Sequence, residues 1–212
     1  MRNSPTMDGA KSIAVTIVLA IFAGVLATSA TLSDATQWDV GNGLNQLWTV
    51  LTCHFTHWSL NHLVWDLLAF VVLGAMCERM VRRRYYETLV LSAIVIPLLV
   101  TGPQSAVQTY RGLSGLDSAL FTLLACEFAR CGIRYGNRQL SVVAVLAWLL
   151  FIGKTIFEVN TGGLIFVSDP SFVPLPMSHI VGAVVGTSVA LRPNRFRAAV
   201  VAKATSAGSL HS

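Results

Sequence analysis

Apolar and polar positions alternate along this chain in long blocks. Apolar runs cover 12–30, 58–80, 87–101, 114–128, 140–157 and 179–191, with short polar stretches between them. About 20 apolar residues let a helix cross a hydrocarbon core roughly 30 Å thick, so the blocks predict membrane helices. The run at 87–101 is short, which predicts a little-tilted helix or one set inside the bundle. The run at 12–30 has two readings. Thr28-Ser29-Ala30 offers small residues for signal-peptide cleavage, but a length close to a full span favours a retained helix. The connections predict a polar outer loop at 31–51 with Asp34, Asp39, Gly41 and Gly43, and a turn-rich loop at 102–111. A third, at 159–176, is rich in Gly, Pro and Asp. The small, polar tail predicts disorder. There is no internal repeat and no low-complexity block.

Composition agrees. Of 212 residues 54% are hydrophobic and 12% charged, against about 25% charged in soluble domains. An integral membrane protein of one bundle is implied, with little length left for a second domain. The net charge of +5 does not suggest nucleic acid, because the cations sit at the ends of apolar runs. All fifteen Lys and Arg except Arg111 and Lys154 lie in the N-terminal segment, at the boundaries that end the second and fourth runs, or from the end of the sixth run onward. That bias, with both ends basic, predicts six helices and two cytoplasmic termini. The expected division is a cytoplasmic segment at 1–11, a six-helix transmembrane domain at 12–192, and a cytoplasmic tail at 193–212. The expected location is the plasma (inner) membrane, multi-pass. Cys53, Cys77, Cys126 and Cys131 have no CxxC spacing and predict no disulfide framework.

The polar residues inside these runs are costly and need a reason. Counted from the cytoplasmic arginines at about 1.5 Å per residue, Ser114 lies about 24 Å up, His62 about 26 Å, and Asp66 and His179 about 20 Å. Three helices thus bring a serine, two histidines and an aspartate to one layer near the outer surface. Ser114, between Gly112 and Gly115, opens a helix whose free N–H groups can hold developing negative charge. Its hydroxyl needs a base to become a nucleophile. His179 heads a helix in which Gly182 and Gly186 make a small-xxx-small face for close helix packing. His62 and Asp66, four apart, share a helix face.

The stretch His57-Trp58-Ser59-Leu60-Asn61-His62-Leu63-Val64-Trp65-Asp66, the string Gly112-Leu113-Ser114-Gly115, Gly74 followed by Glu78, and His179 followed by Gly182 and Gly186 resemble the rhomboid family. These are intramembrane serine proteases, and the motifs stand in the family's order. The resemblance implies an all-α six-transmembrane-helix rhomboid-like bundle. It implies Ser114 as nucleophile and His179 as general base of a dyad. His62 and the Ser114 N–H would be oxyanion donors, and His57 would organise a water-filled outer cavity. Asp66, Gly112 and Gly115 would be supporting residues. The implied substrate is a single-span or C-terminally anchored membrane protein, in the lipid bilayer, with no nucleic acid. The stretch Lys154-Thr155-Ile156-Phe157-Glu158 is similar to the rhombosortase subgroup, associated with trimming C-terminal Gly-Gly sorting tails of exported proteins. The family usually has Asn at Asp66 and an aromatic residue at Ser118.

Other readings compete. Cys53, His54, His57, His62 and Asp66 offer metal-ligand chemistry, but they straddle a loop-to-helix junction and no HExxH occurs, so neither metal nor cofactor is expected. An inactive homologue that binds transmembrane helices, or a transporter, remains open. Asp117 and Lys154 at similar height suggest a buried ion pair, with Asp117 as a third catalytic member the alternative. Lys154 and Glu158, four apart, could instead pair with each other. Asp66, buried beside a neutral His62, is expected to be protonated, with an ionised Asp66 that fixes a cationic His62 as the alternative.

Overall fold

A computed structural model describes residues 13–101, 107–163 and 175–193. The expected segment at 1–11, the expected tail at 193–212 apart from Pro193, and the centre of the 159–176 loop expected to act as a movable cap lie outside the described residues. The chain forms helices α1 (Ala14–Leu26), α2 (Ala30–Thr36), α3 (Thr49–Thr52), α4 (Leu60–Met80), α5 (Arg82–Val100), α6 (Ser114–Arg134), α7 (Arg138–Thr161) and α8 (Pro176–Leu191). Two-residue strands β1 (Trp38–Asp39) and β2 (Thr109–Tyr110) pair antiparallel. The architecture is a helical membrane bundle, as expected. By length and apolarity α4 and α7 each suffice to span a bilayer, and α1 with α2 makes a third candidate bent by 119°.

Most helices outlast the apolar runs that signal them. The third begins at Arg82 rather than 87, and the fourth and fifth continue to Arg134 and Thr161. Long cationic side chains stay helical while their heads reach toward water. The first run behaves oppositely and stops at Leu26 instead of 30. The Thr28 hydroxyl donates to the Val25 carbonyl, and Ser29 Oγ caps α2 by accepting from Leu32 N–H. Side chains that offer the backbone such partners end helices. The 31–51 loop is also more ordered than expected. It holds α2, β1, a 3-10 helix at Val40–Gln46 and most of α3. Arg111 bonds Gln37 at 2.8 Å, pairs with Asp34, and lies 4.4 Å over the Trp58 ring.

Helix α6 is the hub, packed by α8, α7, α4 and α5. Its small, apolar first half is buried, including Gly115, Leu116, Ala119, Leu120 and Leu123. Helix α7 buries only Ala144, Thr155 and Glu158, and its outer face shows Val143, Leu146 and Leu149. An apolar face of this kind suits lipid. Glu78 on α4 accepts from Val15 N–H at 3.2 Å, Thr16 N–H at 2.9 Å and the Thr16 hydroxyl at 2.8 Å. A carboxylate there satisfies orphan donors at the start of α1. Gly74, one turn before it, leaves room for Thr16, whose Cγ2 would sit 2.8 Å from an added Cβ. The same end of the bundle is also tied by Glu127, which pairs with Arg84 and lies 3.7 Å from Arg130.

Candidate active site

Ser114 is the first residue of α6, directly after Gly112 at φ +117° and Leu113. A φ in that region favours glycine. An added Cβ would meet His62 Cε1 at 3.1 Å and Asp66 Oδ2 at 3.5 Å, so Gly112 also lets the loop lie against α4. The first intrahelical bond runs from Asp117 N–H to Leu113 O. The N–H groups of Ser114, Gly115 and Leu116 therefore have no intrahelical acceptor, which is general at a helix start.

His179 stands one turn into α8, and the two glycines after it set its position. A Cβ on Gly182 would lie 2.0 Å from the Gly115 carbonyl oxygen, and one on Gly186 2.0 Å from that of Ala119. Backbone thus rests on backbone, and α8 presses against α6 beside Ser114. Ser114, His179, His62 and Asp66 line one cavity of about 760 Å³, walled by apolar residues such as Trp65, Val72, Phe121 and Leu150. The layer counted from the arginines is therefore a real meeting point. Among the described residues no hydrogen bond joins Ser114 Oγ to His179. Catalytic contacts are often long without substrate.

Two expected contacts differ. Lys154 pairs with Glu158, its Nζ 2.7 Å from both carboxylate oxygens, and not with Asp117. The i, i+4 geometry on one helix outcompetes reach across to α6. Asp117 does not orient His179. The carboxylate at His179 Nδ1 is Glu158 Oε2, at 3.1 Å. Asp117 Oδ1 is buried without a hydrogen-bond partner. The sequence reading missed the Glu158–His179 contact, although the same depth count from Arg138 puts Glu158 about 30 Å up, in the outer layer.

The environment of Asp66 also departs from expectation. Its Oδ2 lies 3.1 Å from His57 Nε2 and 3.2 Å from His62 Nε2. His57 is not in the cavity wall but behind Asp66, its ring edge-on to His62 at 5.1 Å. Leu113 N–H approaches His57 Nε2 at 3.4 Å, a longer contact than the carboxylate makes. His57 Nδ1 is buried and unpartnered. A buried lone pair is tolerated better than a buried orphan N–H. The proton is therefore assigned to Nε2, facing Asp66, which gives up the longer Leu113 N–H contact for the shorter carboxylate one, and an ionised carboxylate accepting from both rings fits this geometry. The expectation of a protonated Asp66 assumed that it met only one imidazole.

At Ser118 the hydroxyl donates to the Ser114 carbonyl at 2.8 Å, so it acts within α6 and offers His179 no ring. Ring stacking near the cavity comes instead from Phe121 and Phe151, 5.3 Å apart. Among the described residues no cluster of three or more His, Cys, Asp or Glu is arranged to hold a metal ion.

His54 supports the site from beneath. Its Nε2 lies 3.0 Å from the Ala93 carbonyl and its ring is edge-on to Tyr110, whose hydroxyl donates to Gly112 O at 3.2 Å. Burial lowers the His54 pKa from 6.5 to about 4, with the backbone bonds opposing. The folded state then binds fewer protons than the unfolded one between these values, so stability falls as pH drops from 6.5 toward 4. The expected loss is about 3 kcal/mol. Denaturation of the detergent-solubilised protein across that range checks it, and a folded His54→Gln variant should lose this part of the slope.

Residues 44–192 match the family described as the Rhomboid domain. No curated protein matches the chain. Since the family match spans well over half of the sequence, this chain belongs to the rhomboid family, multi-pass membrane proteins that are generally intramembrane serine proteases acting on membrane-protein substrates.

Proposed function

We propose that this protein is an intramembrane serine endopeptidase using a Ser114–His179 dyad. The observation that carries the reading is the convergence of Ser114 and His179 on one cavity, through glycines that seat α8 on the backbone of α6. Ser114 Oγ attacks the scissile carbonyl carbon while His179 takes its proton. The C–N bond then breaks, and His179 returns the proton to the leaving amine. Water releases the acyl group by the same two steps. His62 and the N–H groups opening α6 stabilise the oxyanion. Asp66, with His57 behind it, holds His62, while Gly112 and Gly115 admit the close approach of neighbouring elements. The reaction needs no cofactor.

The substrate is a single-span membrane protein cut near the outer face of the plasma membrane. The likeness of the Lys154-to-Glu158 stretch to rhombosortases favours a C-terminally anchored, exported one. All six long helices cross the bilayer and both termini are cytoplasmic, a reading supported by the arginines gathered at one end of the bundle. The Glu78 contacts at the start of α1 favour a retained first helix within the 12–192 domain.

A membrane-impermeant fluorophosphonate added to sealed right-side-out vesicles tests both chemistry and orientation. Ser114 should be labelled, Ser114→Ala should not react, and His179→Ala should react about 10³-fold more slowly. Labelling confined to inverted vesicles would reverse the topology. Folded wild type that never labels favours the competing reading, an inactive homologue that holds transmembrane helices; Ser118, in place of the aromatic residue usual in the family, is what keeps that reading in view.

A further inference from the structure

Three charged or imidazole groups on two helices form a continuous chain at the cavity edge. Lys154 Nζ lies 2.7 Å from both Glu158 oxygens, and Glu158 Oε2 lies 3.1 Å from His179 Nδ1. The Glu158 side chain is 1% exposed, and those of His179 and Lys154 are 8% and 23%. A carboxylate in an apolar layer is costly unless it is paired and hydrogen-bonded. A surface-type i, i+4 pair would sit equally well on the lipid-water boundary, without a histidine from another helix. Here the pair is turned inward, and one carboxylate oxygen contacts both the ammonium and the imidazole.

We propose that Glu158 is a positioning residue that fixes the tautomer and orientation of His179, with Lys154 holding the Glu158 carboxylate in place. This rests on the Ser114–His179 reading given above. A carboxylate accepts only, so the proton on His179 lies on Nδ1 and is donated to Glu158. Nε2 keeps its lone pair and is the nitrogen left for the cavity that Ser114 lines. When Ser114 Oγ bonds to the carbonyl carbon, its proton passes to Nε2, and both ring nitrogens then carry protons. The Glu158 charge opposes the new positive charge, and the proton leaves from Nε2 to the amine. Glu158 itself stays ionised throughout. The same arrangement explains why a charged i, i+4 pair occupies an otherwise apolar run, and why Asp117, on α6 itself, is not needed at His179.

The test uses full-length protein in detergent micelles, the fluorophosphonate reaction rate, and ¹⁵N-histidine NMR with His179 assigned by difference from His179→Asn. Wild-type His179 should show one tautomer, with the proton on Nδ1; a proton fixed on Nε2 in the resting protein overturns the proposal without any variant. Glu158→Leu alone strands the ammonium and is prone to misfold, so Lys154→Met with Glu158→Leu removes the pair together. That double variant should unfold cooperatively yet react about 10²-fold more slowly, and its His179 should show mixed tautomers. Glu158→Asp should recover part of the rate. A folded double variant with wild-type rate, or one whose tautomer changes while its rate does not, overturns the role. If Ser114→Ala and His179→Ala are inert while the Glu158 variants react fully, only this proposal falls. If Ser114→Ala reacts like wild type, the dyad falls with it.

Discussion

Gly186→Ala should unfold this protein or leave it destabilised by about 3 kcal/mol, within the upper range for overpacked cores. Its new Cβ would stand 2.0 Å from the Ala119 carbonyl oxygen, 2.5 Å from Thr122 Oγ1 and 2.8 Å from the Ala119 carbonyl carbon. Two of those atoms are backbone of the buried hub helix, so α8 must lift off rather than a side chain turn aside. Gly182→Ala meets the Gly115 carbonyl oxygen at 2.0 Å, next to Ser114. It should cost stability and also move His179; a misplacement of about 1 Å can lower a rate about 10²-fold. Gly153→Ala on α7 is the contrast. Nothing lies within 4 Å of its added Cβ. Alanine is the better helix former there by about 1 kcal/mol, so this variant should be as stable as wild type or more so. Thermal unfolding in detergent, read beside the fluorophosphonate rate, checks all three. Equal melting temperatures for Gly186→Ala and Gly153→Ala would mean that α8 does not rest on α6 as described.

Asp66→Leu should lower the rate about 10²-fold or more, the scale for losing one preorganised oxyanion donor. The loss is indirect. Asp66 Oδ2 is the shared partner of His57 Nε2 and His62 Nε2, at 3.1 and 3.2 Å. Without it His62 loses the contact that fixes its ring at the cavity wall, and His57 is left buried with a proton to place. Asp66→Asn should keep a substantial fraction of the activity. An amide oxygen has two lone pairs and can serve both rings, though without the charge. Proteolysis or probe labelling of the folded variants ranks them as wild type, then Asn, then Leu. Asn and Leu variants of equal rate would show that the His57–Asp66–His62 cluster does not support the chemistry.

Much of this protein is legible one-dimensionally because a membrane makes two demands that a sequence displays directly. Spans must be apolar, and the cations between them must lie at one side. That is why the order of the six long helices and the helix start at Ser114 can be read from the chain. The common depth of Ser114, His62, Asp66 and His179 follows for the same reason: rise per residue converts position into height. The small-xxx-small spacing of Gly182 and Gly186 likewise announces a close helix contact. What the chain does not display is azimuth, the direction each residue faces around its helix relative to the others. Lys154 stands at a similar height to both Asp117 and Glu158, and only packing decides that it takes Glu158. Asp66 meets His62 on its own helix by spacing alone, but His57 reaches it only because the loop before α4 folds back. Glu158 comes to His179 because α7, packed chiefly on α6, turns its few buried residues inward and its apolar majority toward lipid. Height along a helix is a local property fixed by the backbone, whereas partners across helices are set by how glycines and side chains let those helices approach.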